Sequence, residues 1–313
     1  MRIKMSKSFD DILAKLKTVG KKKLSVAYAQ DEHVLEAVEL AHKKGIVDAI
    51  LVGDADKIKE VADSIHMDLS EYEVVDVKDM QEAATKAVSL VHEGKADIYM
   101  KGSLDSKTFL KSVLNKEVGL RTGRPLSHVC VFEIPGIDRL LFLTDVAFMP
   151  YPTLDDKKVI IEYTVNVARA CGVDMPKVAP LAAVEVVNPK MPVTVEADEL
   201  TKANEAGEIK NCIVDGPLSM DLAIDPEAAQ FKPGAEKRKI VGDADILLFP
   251  DIHAGNLVYK TIVRMAKGVK NGNILTGTKA PVILTSRSDS VDVKLNSIAL
   301  AAIVAEDMKK GDL

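Results

Sequence analysis

The chain has 313 residues, of which 47% are hydrophobic and 28% are charged. This length exceeds that of one typical domain, so we expect two globular domains. With 42 Lys and Arg against 47 Asp and Glu, the net charge is −5, and only 4% of residues are aromatic. Such a chain lacks the general positive field and the stacking surfaces that nucleic acid or an anionic membrane requires. Neither is an expected partner, and any bound anion must be held by a local site.

Cysteine usage indicates a reducing compartment. Cys130, Cys171 and Cys212 are odd in number and widely spaced, without a CxxC pair. They are interpreted as reduced core thiols, and no metal site is expected. Residues 1–23 contain no apolar run of signal-peptide length, and no stretch approaches a membrane span. We therefore predict a cytoplasmic protein.

Short apolar runs alternate with amphipathic stretches in the first third of the chain. Apolar residues at three- and four-residue spacing between β-rich runs predict alternating strands and helices. The predicted strands are 25–29, 49–53, 74–77 and 98–100, and the predicted helices are 31–44, 55–65 and 80–93. This alternation, with its short connections, implies right-handed crossovers and a mostly parallel sheet.

The pattern changes at residues 129–143, where the turn Pro135-Gly136 separates two strand-like runs and predicts a hairpin. The later predicted elements are helix 156–171, strand 178–184, helix 195–206, strand 212–214, helix 218–229, strand 246–249, helix 255–267, strand 282–284 and helix 291–308. The last helix is very hydrophobic on one face, so we expect it to return to the first domain. The prediction is a discontinuous domain of residues 1–130 and 281–313, and a second domain of residues 131–280.

The loop after strand 98–100 is the first candidate site, because parallel sheets bind ligands beyond the carboxyl ends of their strands. It contains Lys101, Gly102 and Ser103. Gly102 allows the backbone to approach a ligand, and a helix that starts here would direct its N–H groups at an anion. The alternative is an ordinary helix cap with two surface lysines.

Asp145 follows the second strand of the hairpin. It is a candidate substrate-binding residue at the end of a strand. The favoured interpretation is that its carboxylate holds the loop through hydrogen bonds to the backbone.

Gly255 and Asn256 open the helix that follows strand 246–249 and are candidates for receiving a phosphate. His253 precedes them, but no carboxylate is placed in sequence to orient it as a general base. A cap or surface role is favoured for this histidine.

The loop after strand 282–284 contains the strongest candidates. Ser286, Arg287, Asp289 and Ser290 follow a buried strand and precede a helix. Arg287 can bind a phosphate through two parallel hydrogen bonds, Ser286 can contact a sulfur, and a nearby carboxylate can accept its proton. Ser290 is a candidate helix cap. The alternative is a well-capped helix with a surface Arg–Asp pair.

Several common motifs are absent from the sequence. There is no GxxxxGK[ST] loop, no GxGxxG after the first strand, no HExxH and no GxSxG. A P-loop kinase, a simple dinucleotide enzyme, a zinc protease and an α/β-hydrolase are therefore disfavoured.

Three long segments, in the same order along the chain, resemble the phosphate acetyl/butyryltransferase family. Residues 215–224 resemble its DGxLxxDxAI segment, and residues 244–260 its ADxLxFPDxxAGNxxYK segment. Residues 286–301 are similar to SRxDSxxxKLxSIALA, which is typical of the butyryltransferase branch. The likeness spans nearly the whole chain.

The resemblance implies an α/β fold of two α/β/α domains with mostly parallel sheets around an interdomain cleft, similar to isocitrate and isopropylmalate dehydrogenases. The implied reaction converts butanoyl-CoA, or a related short or branched acyl-CoA, and phosphate into an acyl phosphate and free CoA. Coenzyme A is thus a substrate or product, and neither a metal nor an organic cofactor is expected. A homodimer or larger homo-oligomer is also implied.

By this resemblance, Ser286 is the thiol-contacting serine and Arg287 the substrate-binding arginine. In the acetyltransferase branch an aspartate follows that serine by seven residues, but here this position is Val293. Asp289 and Asp292 are the remaining candidates for the base. A cysteine of that branch is replaced here by Val146. Both differences favour a butyryltransferase; the alternatives are an acetyltransferase and a non-enzymatic CoA-binding module.

Overall fold

A computed structural model describes residues 6–232 and 234–310, which form two compact units. The terminal unit contains Phe9–Arg124 and residues 270–310, and the central unit contains residues 6–8 and Pro125–Val269. The units therefore divide at 124/125 and 269/270, where the sequence predicted 130/131 and 280/281. The predicted boundary 130/131 would cut strand β5 (Ser127–Glu133), which belongs entirely to the central unit. The predicted boundary 280/281 would assign strand β10 (Lys270–Thr276) to the central unit, whereas it belongs to the terminal unit.

The sheet of the terminal unit is almost entirely parallel. Its strands are β1 (Lys22–Ala27), β2 (Val47–Gly53), β3 (Glu73–Asp76), β4 (Ile98–Lys101), β10 (Lys270–Thr276) and β11 (Val282–Ile283). They lie in the order β3-β2-β1-β4-β11-β10, and only β10 and β11 pair in antiparallel fashion. Strands β1, β2 and β4 are almost continuously buried, as expected for a parallel sheet covered on both faces.

Aspartates begin four helices of this unit. The helices are α1 (Phe9–Leu16), α2 (Glu32–Lys43), α3 (Ala55–Ser64), α4 (Met80–His92), α5 (Ser106–Val113) and α11 (Val291–Lys310). The side chains of the residues before α2, α3, α4 and α5 accept hydrogen bonds from the first turn, and these residues are Asp31, Asp54, Asp79 and Asp105. Such caps satisfy N–H groups that have no partner within the helix.

Helix α11 packs against α1, α2 and β10, while α4 packs against α5 and β1. Residues Lys294–Ala305 are buried without interruption. Since most of the circumference of α11 is covered, the helix lacks the polar face of a surface helix.

The central unit repeats the parallel plan with one antiparallel pair. Its strands are β5 (Ser127–Glu133), β6 (Leu141–Thr144), β7 (Lys177–Pro180), β8 (Ile213–Val214) and β9 (Ile246–Leu248). They lie in the order β5-β6-β9-β7-β8. Strands β5 and β6 form the predicted hairpin, and the other pairs are parallel.

The helices of the central unit differ from the prediction at one proline. They are α6 (Leu154–Ala170), α7 (Pro192–Glu205), α8 (Met220–Ile224), α9 (Pro226–Gln230) and α10 (Ile252–Met265). The predicted helix 218–229 is divided, because Pro226 favours extended backbone at Asp225, which has φ −116° and ψ 106°. The predicted strand 178–184 ends at Pro180.

Helix α1 and strand β10 are among the elements that were missed from the sequence. Helix α1 is short, and β10 has too many polar residues to resemble a buried strand. Asn271 and Asn273 in β10 are nevertheless buried, and α11 supplies hydrogen-bond partners for the backbone of this strand. Asn273 N–H donates to Ser297 Oγ at 2.9 Å, and Asn296 Nδ2 donates to Asn271 O at 3.3 Å. Long-range hydrogen bonds thus satisfy the backbone of β10, whereas the side-chain Oδ1 of Asn273 has no partner in the described part of the chain.

The predicted α/β class with mostly parallel sheets is confirmed. The three cysteines, predicted as core thiols, are all buried. Among residues 6–232 and 234–310, none of the helices combines the length and apolar character that a bilayer span requires.

Candidate functional site

The loops after β1 and β4 meet where the strand order of the terminal unit reverses. The chain runs outward from β1 through β2 to β3 and then crosses to β4 on the other side of β1. Parallel sheets bind ligands at such a switch point. The N–H groups of Gly102 and Ser103 donate to Ala27 O at 2.9 Å and Tyr28 O at 2.8 Å. These two hydrogen bonds therefore join the loop after β4 to the end of β1.

Gly102 is required by this close approach. A Cβ atom at this position would lie 2.4 Å from Tyr28 O and 2.5 Å from Ala27 O. No side chain fits against these two carbonyl oxygens without moving the backbone. The structure shows that Gly102 makes room for the backbone at the end of β1, and its approach to a ligand stays a prediction.

The two backbone donors that the sequence proposed for an anion at this loop are already engaged. The N–H groups of Gly102 and Ser103 already have carbonyl partners. At the start of α5, Asp105 accepts hydrogen bonds from Thr108 N at 2.9 Å and Thr108 Oγ1 at 2.7 Å. A capping carboxylate thus occupies the place where an anion would bind. The side chains of Lys101 and Ser103 are therefore the groups of this loop that we consider for binding.

Lys101 is not the surface lysine of the alternative interpretation. Its side chain is buried, and its one acceptor in the described part of the chain is Gly102 O, at 3.5 Å from Nζ. Burial lowers the pKa of Lys101, and the nearby charge of Arg287 lowers it further, while Asp31 opposes the shift. Because a buried ammonium group with one distant acceptor is poorly satisfied, this site favours an anionic ligand.

The loop after β11 reaches the same edge of the sheet. Strand β11 pairs in parallel with β4, with Ile283 opposite Met100, so their carboxyl ends coincide. Beyond β11, Ser286 N–H donates to Asp289 Oδ2 at 2.7 Å, and Asp289 N–H donates to Ser286 O at 3.1 Å. These reciprocal hydrogen bonds close a turn, which we call the Ser286–Asp289 turn.

Arg287 lies at the tip of this turn and is exposed. Its Nη2 donates to Ser103 O at 2.7 Å, which connects the turn to the loop after β4. A guanidinium group carries five N–H donors, so this bond leaves donors for a ligand. Ser286 is exposed beside Arg287, and its Oγ lies 3.1 Å from Ser288 Oγ.

Lys294 contacts both ends of the Ser286–Asp289 turn, and no role was assigned to it from the sequence. It is 2% exposed, and its Nζ donates to Asp289 O at 2.6 Å and Ser286 O at 3.3 Å. Burial lowers the pKa of Lys294, while the charges of Asp31 and Asp289 oppose this shift. The feature of the sequence that could have revealed this role is a lysine at a position where the apolar spacing of the helix predicts burial.

The first turn of α11 separates the roles of Ser290 and Asp292. Ser290 Oγ accepts a hydrogen bond from Val293 N–H at 3.4 Å, as predicted for a helix cap. Asp292 is exposed and has no hydrogen bond or ion pair with any residue that the structure describes. Its carboxylate is therefore available to a ligand.

Asp145 holds the loop after β6, as the favoured interpretation predicted. Its buried carboxylate accepts hydrogen bonds from Ser127 Oγ at 3.0 Å and His128 N–H at 2.9 Å. The N–H groups of Ala147 and Phe148 also donate to it, each at 2.8 Å. Both carboxylate oxygens are thus engaged by the central unit itself.

Gly255 and Asn256 dock the first turn of α10 against the loop after β6. A Cβ atom at Gly255 would lie 2.3 Å from Asp145 O, so this contact requires glycine. Asn256 Nδ2 donates to Val146 O at 2.9 Å. The structure thereby brings together the three predicted residues of the central unit, Asp145, Gly255 and Asn256.

The start of α10 offers no backbone cradle. Ile252 N–H donates to Pro150 O and Gly255 N–H to Asp251 O, both at 3.1 Å. The N–H groups of His253 and Ala254 donate to Asp251 Oδ1, at 2.8 Å and 3.0 Å. The predicted backbone donors of α10 are therefore already used. His253 is exposed, and its Nε2 lies 2.8 Å from Tyr151 Oη, in agreement with a surface role.

The predicted residues thus form two groups, each within its own unit. The terminal unit contains Lys101, Gly102, Ser103, Ser286, Arg287, Asp289, Ser290 and Asp292, and the central unit contains Asp145, Gly255 and Asn256. Within residues 6–232 and 234–310, no group of three or more His, Cys, Asp or Glu side chains has the arrangement of a metal site.

Comparison with known proteins agrees with these features. A family model described as "Phosphate acetyl/butaryl transferase" matches residues 8–85 and 76–302. A phosphate butyryltransferase of Clostridium beijerinckii is 54% identical over 301 residues, which cover 96% of this chain and 99% of the relative. A phosphate acetyltransferase of Thermotoga maritima is 42% identical over 284 residues, covering 91% and 95%.

Among solved structures, a branched-chain phosphotransacylase of Enterococcus faecalis superimposes with a TM-score of 0.78 at 35% sequence identity. The alignment covers 91% of this chain and 99% of that structure. The match therefore extends over the full architecture of the relative. The chain belongs to the phosphate acetyl/butaryl transferase family.

Proposed function

We propose that this chain transfers a short acyl group between coenzyme A and inorganic phosphate, with butanoyl-CoA or a related short or branched acyl-CoA as substrate. The carrying observation is the cationic group formed by Arg287 and Lys101 at the carboxyl ends of β11 and β4. One guanidinium group is exposed and one ammonium group lacks a good acceptor. Together they suit a phosphate with two or more negative oxygens.

The proposed chemistry is a direct displacement with both substrates bound. A phosphate oxygen attacks the thioester carbonyl carbon, the new C–O bond forms, and the C–S bond breaks to release CoA. Arg287 and Lys101 hold the phosphate, and Arg287 stabilises the charge that develops on the carbonyl oxygen. Ser286 donates a hydrogen bond to the sulfur. No metal or organic cofactor takes part in this proposal.

The two candidate carboxylates receive different roles. One oxygen of Asp289 is engaged by Ser286 N–H, so Asp289 maintains the turn. Asp292 is exposed and unpaired in the described chain, and we assign it the transfer of the thiol proton. In acyl phosphate synthesis it accepts the proton that the attacking phosphate oxygen loses and gives it to the departing thiolate.

The relatives support a longer acyl group over acetate. Identity is 54% to a phosphate butyryltransferase and 42% to a phosphate acetyltransferase. Val146, which replaces a cysteine of the acetyltransferase branch, packs in the hydrophobic core with Leu143 and Phe249. Its side chain therefore stabilises the central unit.

The proposal also includes the expectations that the enzyme is a homo-oligomer and that it is cytoplasmic.

The deciding experiment is a thiol-release assay with acetyl-, propionyl-, butyryl- and isobutyryl-CoA, with and without phosphate. Phosphate-dependent release that is fastest with a four-carbon substrate is the expected result, and prior chelation of metals leaves it unchanged. A preference for acetyl-CoA would identify an acetyltransferase. Calorimetric binding of CoA without any phosphate-dependent release would instead indicate a non-enzymatic CoA-binding module.

A further inference from the structure

We propose that Lys294 is a positioning residue, whose buried ammonium group holds the Ser286–Asp289 turn in the orientation that presents Ser286 and Arg287. The kinetic part of this inference rests on the proposed acyl transfer. The structural part concerns the turn alone and can be tested without any substrate.

The contacts of Lys294 connect the two ends of the turn. Its Nζ donates to Asp289 O at 2.6 Å and to Ser286 O at 3.3 Å. The same two residues also exchange hydrogen bonds with each other. Arg287 lies between them in the sequence, so its backbone direction is determined by anchors on both sides. Removal of the ammonium group would leave two carbonyl oxygens without this donor.

Packing alone does not explain a lysine at this position. The neighbouring buried positions of α11 include Leu295, Ile298 and Ala299, and an apolar side chain would be buried there at lower cost. A charged group is costly to bury, and its replacement by an apolar residue of similar volume is often neutral or stabilising. The position therefore indicates that carbonyl recognition, and not core stability, is what Lys294 supplies.

Lys22 provides a matched control within the terminal unit. It is 4% exposed and donates to Gly20 O at 3.1 Å and to Glu306 at 2.6 Å. Lys22 lies at the start of β1, whereas the turn lies beyond the carboxyl ends of the strands. A Lys22→Met variant therefore removes a buried ammonium group without disturbing the turn.

The first test uses native-state cleavage after Arg287 by an arginine-specific protease, followed by mass spectrometry. We expect Lys294→Met to accelerate this cleavage about fivefold or more, because the turn opens more often. Cleavage after Arg121 in the terminal unit and after Arg139 in the central unit should stay unchanged, and this shows that both units remain folded. Lys22→Met should leave cleavage after Arg287 at the wild-type rate. Unchanged cleavage in Lys294→Met would overturn the proposal.

The second test is a mutant cycle on phosphate-dependent thiol release. We expect Lys294→Met to lower kcat/KM about tenfold or more in the wild-type background and less than about twofold in a background that carries both Ser286→Ala and Arg287→Gln, where the turn has no functional side chain left to present. Lys294→Gln, which keeps a donor, should retain more activity than Lys294→Met. Equal losses in both backgrounds would show that Lys294 does not act through the turn. If wild-type protein releases no thiol, the proposed function fails, while the protease test still decides the role of Lys294.

Discussion

The carboxylate of Asp289 accepts a 2.7 Å hydrogen bond from the backbone N–H of Ser286, three residues earlier in the chain. This bond ties the end of the turn to the serine that is proposed to contact the sulfur. It also distinguishes Asp289 from Asp292, which has no partner in the described part of the chain. Replacement of a carboxylate by an amide keeps a hydrogen-bond acceptor but removes the group that takes up a proton. The replacement should therefore be tolerated at a residue that maintains the turn and should inactivate at a residue that moves a proton.

Asp289→Asn should therefore retain at least about one third of the wild-type kcat/KM, because the amide oxygen still accepts from Ser286 N–H. Asp289→Ala should lose about tenfold or more, since the turn then lacks its acceptor. Asp292→Asn should also lose about tenfold or more, because its amide cannot take a proton. The measurement is thiol release at saturating phosphate. Equal inactivation by Asp289→Asn and Asp289→Ala would instead make Asp289 the base.

Arg287→Gln should lower turnover about a hundredfold or more while leaving thermal unfolding unchanged. Arg287 is exposed and makes one hydrogen bond, to Ser103 O, so the fold depends little on it. Arg264→Gln, at an exposed arginine near the end of α10, is the control and should behave as wild type. Near-native turnover of Arg287→Gln would remove the proposed site.

Lys101 should give phosphate binding a pH dependence. Burial, together with the charge of Arg287, lowers its pKa from 10.5, and phosphate binding requires the charged form. The KM for phosphate should therefore rise as the pH increases through this lowered pKa, at a lower pH than for an ordinary lysine. Lys101→Arg should shift the rise to higher pH, because a guanidinium group stays charged. A KM profile from neutral pH to about pH 10 that is identical in both proteins would contradict this role.

The same shift predicts how stability depends on pH. Between the lowered pKa and 10.5, the unfolded chain holds a proton at Lys101 that the folded chain has lost. The free energy of unfolding should therefore rise with pH across this window. Lys101→Met should lack this contribution, as checked by urea unfolding at several pH values. An equal rise in the variant would assign it to other groups.

Gly102→Ala should destabilise the terminal unit by about 1–3 kcal/mol, because the new methyl group meets two carbonyl oxygens of the loop after β1. Thiol release should fall as well, since the loop that carries Lys101 must move. The control is Gly20→Ala, because a Cβ atom at Gly20 would have no atom within 4 Å beyond those of Gly20 and its two chain neighbours. Chemical denaturation of both variants measures the difference, and equal stability would show that the loop adapts freely.

The sequence alone predicted the α/β class and the order of most strands and helices. This succeeded because the spacing of apolar residues is a local property that is repeated within each element. The motif that follows β11 was also recognisable, since its serine, arginine and aspartates lie within seven residues of sequence, from Ser286 to Asp292. Local spacing could not reveal β10, because the hydrogen bonds that hold its backbone in the interior come from Ser297 and Asn296 of α11.

Only the tertiary structure decided which groups are available for chemistry. The N–H groups of Gly102 and Ser103 suggest an anion cradle until Ala27 and Tyr28, far away in the sequence, are found to accept their hydrogen bonds. Lys294 resembles an ordinary helical lysine until its burial and its two carbonyl acceptors are seen. Hydrogen-bond satisfaction and burial depend on distant segments that fold together, so the sequence supplied the candidates and the packed chain assigned their partners.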